Sequence, residues 1–276
     1  MDKNSAKEKL KRLRRRLKKM GPVLVAFSGG VDSAFLLAVA HSVSGENTLA
    51  ATAKSDVHPD RELKEAAKFA DDRKIRHIVF PSGEMDCADF VANDRDRCYY
   101  CKRHLFQKLF QVAQKNGLIH VVHGANMDDL DDYRPGMKAA AEAGVTAPLI
   151  DSRLNKEEIR FLSKEMGLAT WDKPAMPCLA TRIPYGSRVT EKKLKMIEEA
   201  ETFLREQGFE EIRVRHHGPV ARIEVAEEKV KGLLHEEIRR NVLKKFYEIG
   251  FEHVAVDMEG YVSGSLNRSL HIKSDE

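Results

Sequence analysis

Residues 23–33, Val-Leu-Val-Ala-Phe-Ser-Gly-Gly-Val-Asp-Ser, constrain this chain more than any other stretch. Val23 to Phe27 is a short apolar run of the kind that forms a buried parallel strand. Ser28 to Ser33 then forms a tight turn, and Ala34 to Ala40 continues as an apolar helix. A strand, a Gly-rich turn and a helix N-terminus together make an anion site, because unpaired N–H groups point outward and the helix dipole favours negative charge. Gly29 and Gly30 let the backbone approach a ligand closely, and Ser28 and Ser33 add hydroxyl donors. Asp32 is the odd member: a carboxylate beside a phosphate needs a cation between them, which reads as a magnesium contact. The G-x-x-x-x-G-K-[ST] and G-x-G-x-x-G patterns are both absent here, so neither a Walker loop nor a dinucleotide fingerprint is present. The bland alternative is a Gly-Gly turn capped by serine.

A length of 276 residues suits two domains, or one large domain with an appendage. Hydrophobic content of 42% suffices for a core, and no apolar run reaches the length of a membrane span. The N-terminus lacks a signal-peptide core, so a cytoplasmic protein is expected, in which four cysteines point to metal or catalytic chemistry rather than disulfides. The net charge of +4 hides an asymmetry. Residues 1 to 20 carry ten Lys/Arg against Asp2 and Glu8, while the remaining chain has 37 Lys/Arg and 41 Asp/Glu. A nucleic-acid enzyme usually spreads its basic residues over a working face, so neither nucleic acid nor membrane is the expected partner.

Along the chain, Leu10, Leu13, Leu17 and Met20 recur at helical spacing, giving either a basic-faced helix packed beside the first strand or an arm for RNA or an acidic surface. Thr48 to Ala53 reads as a strand, Pro59 to Asp72 as a helix, and Arg76 to Phe80 as a strand. His120 to Gly124 reads as another strand, and Ala147 to Ile150 as the last of the sheet. Such alternation signals an α/β, doubly wound parallel sheet with its ligand at the strand C-terminal ends. Ser55, after the second strand, sits where a ribose could be met, or is a plain loop serine. Asn126, Asp128 and Asp129 follow the His120 strand and offer oxygen ligands to magnesium or contacts to a nucleotide, against a capped polar loop.

Cys98 and Cys101 stand C-x-x-C at the start of a helix reaching about Gln114, a spacing that suits two ligands on one metal, a redox pair or coincidence. Lys102 beside them can reach a phosphate or carboxylate, or simply be exposed. A helix is expected from Asn155 to Met166. Thr170 to Val189 gathers Pro174, Pro177 and Pro184 around Cys178 and reads as a functional loop. Cys178 there is a candidate reactive thiol followed by Arg182; at an ordinary pKa only about 3% would be thiolate at pH 7, so it needs a cation or metal nearby. Residues 190–276 read as a smaller α+β domain: helix 191–206, strands near 211–216 and 220–225, helices through 227–249 and a strand around 253–258. Arg213 and Arg215 share one strand face and can grip a phosphate with Glu201 nearby, or form a solvated face. The expected boundaries are thus 1–168, a cysteine loop at 169–189, and 190–276.

The hexapeptide SGGVDS resembles the PP-loop of the ATP pyrophosphatase superfamily, whose adenine nucleotide α-hydrolase-like domain cleaves ATP between the α- and β-phosphates. Together, SGGVDS, RCYYCK, GANMDD and PCLATRIPYG resemble the LarE family from end to end. These are PP-loop sulfurtransferases that use ATP to adenylate carboxylates of pyridinium-3,5-biscarboxylic acid mononucleotide and convert them to thiocarboxylates for the nickel-pincer cofactor. The resemblance implies ATP and Mg2+ at Ser28, Gly29, Gly30, Asp32, Ser33, Ser55, Asn126 and Asp129. It implies catalysis by Cys178, Asp32 and Arg182, and a mononucleotide phosphate, or an ion on it, held by Glu201, Arg213 and Arg215, with Lys102 at the substrate. In one branch the cysteine matching Cys178 gives up its own sulfur and becomes dehydroalanine. In another, three cysteines hold a [4Fe-4S] cluster with a labile sulfide; Cys98, Cys101 and Cys178 match those positions, which favours the cluster branch. Cys87 matches neither motif and is expected to be structural. The expected partners are a small-molecule mononucleotide and further copies of the chain. The rivals are a PP-loop tRNA thiolase, an ammonia-channelling synthetase and a nucleotide-binding sensor, and the charge asymmetry and the cysteines count against them.

Overall fold

Alternation within β1 (Val23–Ala26) decides the centre of the molecule: Val23 and Val25 project to one face and Leu24 to the other, and all three are fully buried. A strand with apolar residues on both faces must be covered on both sides. The computed structural model describes residues 2–130, 135–174, 176–262 and 264–268. The chain forms two compact units, one of residues 1–90 and 96–176, the other of residues 91–95 and 177–276.

The first unit follows a helix–strand alternation through α1 (Lys3–Met20), β1, α2 (Val31–Ser44), β2 (Thr48–Lys54), α3 (Asp60–Asp72) and β3 (Arg76–Pro81). The chain then passes through α4 (Ala88–Ala92) and returns as α5 (Arg97–Lys115), β4 (His120–His123), α6 (Pro135–Glu142), α7 (Pro148–Asp151) and α8 (Lys156–Glu165). All strand pairings are parallel and the order is β3-β2-β1-β4. On one face Val23, Val25 and Ala50 pack with Phe35 of α2, Leu13 and Leu17 of α1, and Leu162 of α8. On the other, Leu24, Leu49 and Val121 pack with Phe106, Leu109 and Ala113 of α5. The sheet is therefore doubly wound, as the alternation implied. Because β2 and β4 flank β1, the strand order reverses at β1, and the crevice beyond its C-terminal end is the expected ligand position.

The strand expected at Ala147–Ile150 is not formed. Thr146 makes only an isolated bridge to Val122, and Pro148 opens the short helix α7. Proline lacks the N–H a strand needs but suits the first helical position. The N-terminal segment is a packed helix rather than an arm. Ala6, Leu10, Leu13 and Leu17 are buried, and Lys9 and Arg16 pair with Glu158 and Asp151 at 2.7 and 2.5 Å. It packs mainly on α2, α7 and α8, and Leu13 and Leu17 share the core cluster of Val23 and Val25.

The second unit is built on a three-stranded sheet of order β5-β6-β7. Helix α9 (Glu191–Glu206) leads to β5 (Ile212–His217), antiparallel to β6 (Val220–Val225); α10 (Val230–Leu233) and α11 (Glu236–Ile249) return the chain to β7 (His253–Val256), parallel to β6. Leu204 of α9, Phe246 of α11, Phe251 and Val214 fill its core. The 170–189 stretch is irregular except for a 3₁₀ turn at Leu179–Arg182. Among the described residues no helix is long and apolar enough to cross a membrane.

Because Leu13 is wholly buried against α2, Leu13→Ala should lower unfolding free energy by about 2–5 kcal/mol, read from urea denaturation. An unchanged midpoint would mean that α1 contributes little to the core.

Candidate active site

The loop between β1 and α2 is an open anion cradle. Gly29 has φ +75°, a conformation that favours glycine, and a Cβ there would lie 3.2 Å from the Ala66 Cβ of α3. Gly30 caps α2 without a side-chain bond, so the first-turn N–H groups have no side-chain acceptor at the cap. The Ser28 and Ser33 hydroxyls lie 3.0 Å apart, the Ser28 N–H donates to Ser33 Oγ at 3.2 Å, and the Ser33 hydroxyl donates to the Gly30 carbonyl at 3.1 Å. These bonds fix the shape of the loop. Gly124, just past β4, comes so close that a Cβ would sit 2.8 Å from the Ser33 nitrogen. The C-terminal ends of β1 and β4 thus meet at the loop.

Asp32 is the charged centre of this region. Its Oδ2 accepts from Lys156 Nζ at 2.5 Å, whereas its Oδ1 is buried with no hydrogen-bond partner. Burial pushes its pKa up; Lys156 opposes the shift and the Asp129 carboxylate adds to it. Magnesium usually takes one or two carboxylates together with substrate phosphates, so the orphaned Asp32 oxygen fits it. Asp129 Oδ2 also accepts the Asn126 N–H at 2.9 Å, and Asn126 Oδ1 accepts the Asp128 N–H at 3.0 Å, so this acidic segment folds on itself as a capped turn.

Lys156 carried no sequence signal of its own. A capping box of Asn155 and Glu158 starts α8 and sets Lys156 at its first position, where its N–H also donates to Asp128 Oδ2 at 3.1 Å. Lys173 was missed too: its ammonium meets Glu62 and Glu65 at 2.7 Å each and the Gly29 carbonyl at 3.3 Å.

Ser55, at the end of β2, donates its hydroxyl to Glu84, a buried carboxylate that also accepts from Ser82. Ser55, Glu84 and Cys101 line one cavity together with His104. Cys98 and Cys101 lie one turn apart on the first turn of α5, with Cys98 exposed and Cys101 half-buried. Lys102 follows, its stem crossing Gly136, where a Cβ would lie 2.8 Å from Lys102 Cγ. Its charge also reaches His123 at the end of β4: burial, and then Lys102, push that imidazole down to about 4.

In the second unit Cys178, half-buried, opens the 3₁₀ turn. Its carbonyl accepts from the Thr181 N–H at 3.0 Å, the Thr181 hydroxyl at 2.8 Å and Arg182 Nη1 at 3.2 Å. Arg182 is fully buried, donates also to the Pro177 carbonyl, and forms a two-bond ion pair with Glu201 at 2.8 and 3.1 Å. Glu201 also accepts from Arg205 and from the Val214 N–H, so its oxygens face protein groups. Arg182 and Glu201 thus hold the backbone of the cysteine.

The Arg213 and Arg215 face of β5 is not solvated: both are buried. Arg215 pairs with Glu224 through two 2.8 Å bonds and donates to the Thr181 carbonyl. Arg213 differs. Its guanidinium donates to its own strand's Ile212 carbonyl and lies 4.8 Å from the Tyr261 ring centroid, with no carboxylate at ion-pair distance among the described residues. Burial and the neighbouring Arg182 push its pKa down, against the opposing Glu201 carboxylate. Buried Asn93, at φ +62°, was also missed; its amide donates to the Pro184 and Ser187 carbonyls at 2.8 and 2.7 Å and pins the turn after the cysteine. Among the described residues no group of three or more His, Cys, Asp or Glu is assembled to hold a metal.

Two outcomes follow from these charges. The ionised form of Asp32 is disfavoured in the fold, so its penalty is absent at low pH and sets in as pH rises through the raised pKa. Asp32→Asn should therefore raise the melting temperature at pH 7, since Lys156, a third exposed, remains solvated; a lower melting temperature would show that the ion pair outweighs the burial cost. His123 has the opposite sign: its contribution is complete above pH ~6.5 and is lost as pH falls toward about 4. His123→Gln should flatten that part of the stability–pH curve, measured by denaturant midpoints between pH 7 and 4.5.

Comparison with known proteins agrees with this geometry. The asparagine synthase family model matches residues 8–101, which contain the anion loop. The chain is 40% identical over 262 residues to an uncharacterised protein of Synechocystis, covering 95% of this chain and 98% of that one. It is 34% identical over 256 residues to the pyridinium-3,5-bisthiocarboxylic acid mononucleotide synthase of Lactiplantibacillus plantarum, covering 92% of each. A GMP synthase of Aeropyrum pernix matches 69% of the chain at 24% identity. With a nucleotide loop at the β1–α2 junction and a relative matched over nearly its whole length, the chain belongs to the LarE family of ATP-dependent sulfurtransferases.

Proposed function

We propose that this chain adenylates a carboxylate of pyridinium-3,5-biscarboxylic acid mononucleotide and replaces its oxygen with sulfur. The observation that carries the reading is the orphaned Asp32 Oδ1 within an open helix N-terminus, in a chain that matches a synthase named for the bisthiocarboxylic product. The substrate carboxylate attacks the α-phosphorus of ATP, the bond to the β-phosphate oxygen breaks, and pyrophosphate leaves on the loop. A sulfur nucleophile then attacks the acyl carbon, and AMP departs with the electrons of the cleaved C–O bond. The Ser28–Ser33 segment cradles pyrophosphate, and Lys156 offers a charge to the same phosphates. Magnesium, held by Asp32 with Asp129 and the phosphates, would neutralise charge that builds on the leaving group.

In the second unit, Arg213, buried with no carboxylate at ion-pair distance among the described residues, is assigned to the mononucleotide phosphate. Arg215 and Arg182, the latter paired with Glu201, support the cysteine turn. Cys178 sits on a backbone held by three donors, which suits a thiol that must stay in register with an acyl carbon.

The source of the sulfur is the finer part of the proposal. Cys98 and Cys101 share one helix face at ligand spacing, and with Cys178 they supply the three thiols that would hold a [4Fe-4S] cluster, a group whose chemistry is to carry a labile sulfide on its fourth iron. The competing reading is that Cys178 gives up its own sulfur. Under the cluster reading, Cys98→Ala, Cys101→Ala and Cys178→Ala should each lose iron and sulfur transfer together, and intact mass should show Cys178 unchanged after anaerobic turnover. Dehydroalanine at 178 in iron-loaded protein, with Cys98→Ala still active, would establish the sacrificial route instead. Loss of pyrophosphate release in Asp32→Asn tests the adenylation step; release at the parent rate would overturn it.

A further inference from the structure

We propose that Lys173 is a positioning residue of the nucleotide loop: its ammonium holds the Gly29 carbonyl so that the Gly30 N–H is presented to the bound phosphates. The inference rests on the family's use of ATP and on the loop's assignment to its phosphates.

Three observations lead there. Lys173 Nζ lies 3.3 Å from the Gly29 oxygen and 2.7 Å from both Glu62 and Glu65 of α3. Its side chain is only 15% exposed, and although burial pulls its pKa down, the two carboxylates more than offset this, so it stays charged. Its backbone is fixed independently: Arg160 of α8 donates to the Trp171 and Lys173 carbonyls at 2.8 and 2.9 Å, and Lys164 lies 4.3 Å from the Trp171 ring centroid. An exposed lysine needs no such mounting.

The consequence follows from peptide geometry. A planar trans peptide points its C=O and N–H in opposite directions. Drawing the Gly29 carbonyl toward Lys173 therefore turns the Gly30 N–H away from it, toward the Ser28 side, where it has only a long 3.4 Å contact to Ser28 Oγ. That N–H is available to an anion. A cation on the carbonyl also polarises the peptide and strengthens the N–H as a donor. A second effect has the same sign. Glu62 and Glu65 sit on the helix that backs the loop, so close that a Cβ on Gly29 would lie 3.6 Å from the Glu62 carbonyl oxygen. Without Lys173, Glu62 would keep only Arg61, 3.8 Å away, and the half-exposed Glu65 would lose its cation, beside a site for polyphosphate. Gly29, with its positive φ, is the loop residue whose peptide most needs an external hold, since glycine rotates most freely.

The test measures MgATP binding by titration calorimetry alongside steady-state kinetics. Lys173→Met, near in size and without charge, should raise the Kd and the KM for ATP at least tenfold while leaving the KM for the mononucleotide unchanged. Lys173→Arg, which keeps the charge, should recover most of that loss. A folded Lys173→Met that binds MgATP at parent affinity overturns the proposal. Should that variant not fold, hydrogen exchange on the parent decides: MgATP must slow exchange in a peptide spanning Thr170–Lys173 as well as in Ser28–Ser33, and protection confined to the loop overturns it. A parent protein that binds no MgATP would overturn the nucleotide assignment itself, and the role of Lys173 with it.

Discussion

A half-buried carboxylate on the first turn of α2, shortly after the central strand, is the constraint around which the first unit is arranged. Asp32 lies in the first turn of α2, where burial disfavours its charge. The fold answers with Lys156, delivered by a capping box at the start of α8, and leaves Oδ1 without a partner. For β1 to deliver the loop to this place it has to be central, with β2 and β4 on either side and helices over both faces. The packing of α1 on α2 belongs to the same arrangement, because α2 carries the loop at its first turn.

The second unit meets a related problem with arginines. Arg182, Arg213 and Arg215 are all buried, and Glu201 and Glu224 compensate two of them. Removing one partner from such a pair leaves a charge in a poorly solvating interior, so each member is tightly held. Arg182 and Arg215 use that rigidity to hold the carbonyls of Pro177, Cys178 and Thr181. Among the described residues Arg213 has no carboxylate at ion-pair distance, which is what the proposed phosphate contact would use. Both units thus rest on a few fixed ion pairs.

The sheet, its parallel order and the helix over each face were legible in the alternation of apolar runs with amphipathic ones. The run Ala147–Ile150 was misread because a short apolar stretch looks the same in a strand and a buried turn of helix. Pro148 decided between them, through the N–H it lacks. The amphipathic pattern of residues 10 to 20 was readable, but whether its basic side reached outward or paired with α7 and α8 was not, since Asp151 and Glu158 lie about 140 residues away. Likewise, period-two spacing put Arg213 and Arg215 on one face of β5, while the burial of that face comes from residues far along the chain.

The sequence by itself determined the Gly-rich loop after β1, the place of Asp32 at the start of the following helix and the helical spacing of Cys98 and Cys101, because each depends on residues within a few positions of one another and on local backbone geometry. Only the tertiary structure decided which side chains complete them. Lys156 reaches Asp32 across 124 positions, and Lys173 reaches Gly29 across 144. A lysine on a solvated surface and one buried against a loop are written with the same letter. What separates them is the low-dielectric surroundings that packing creates, and those exist only once the chain has folded.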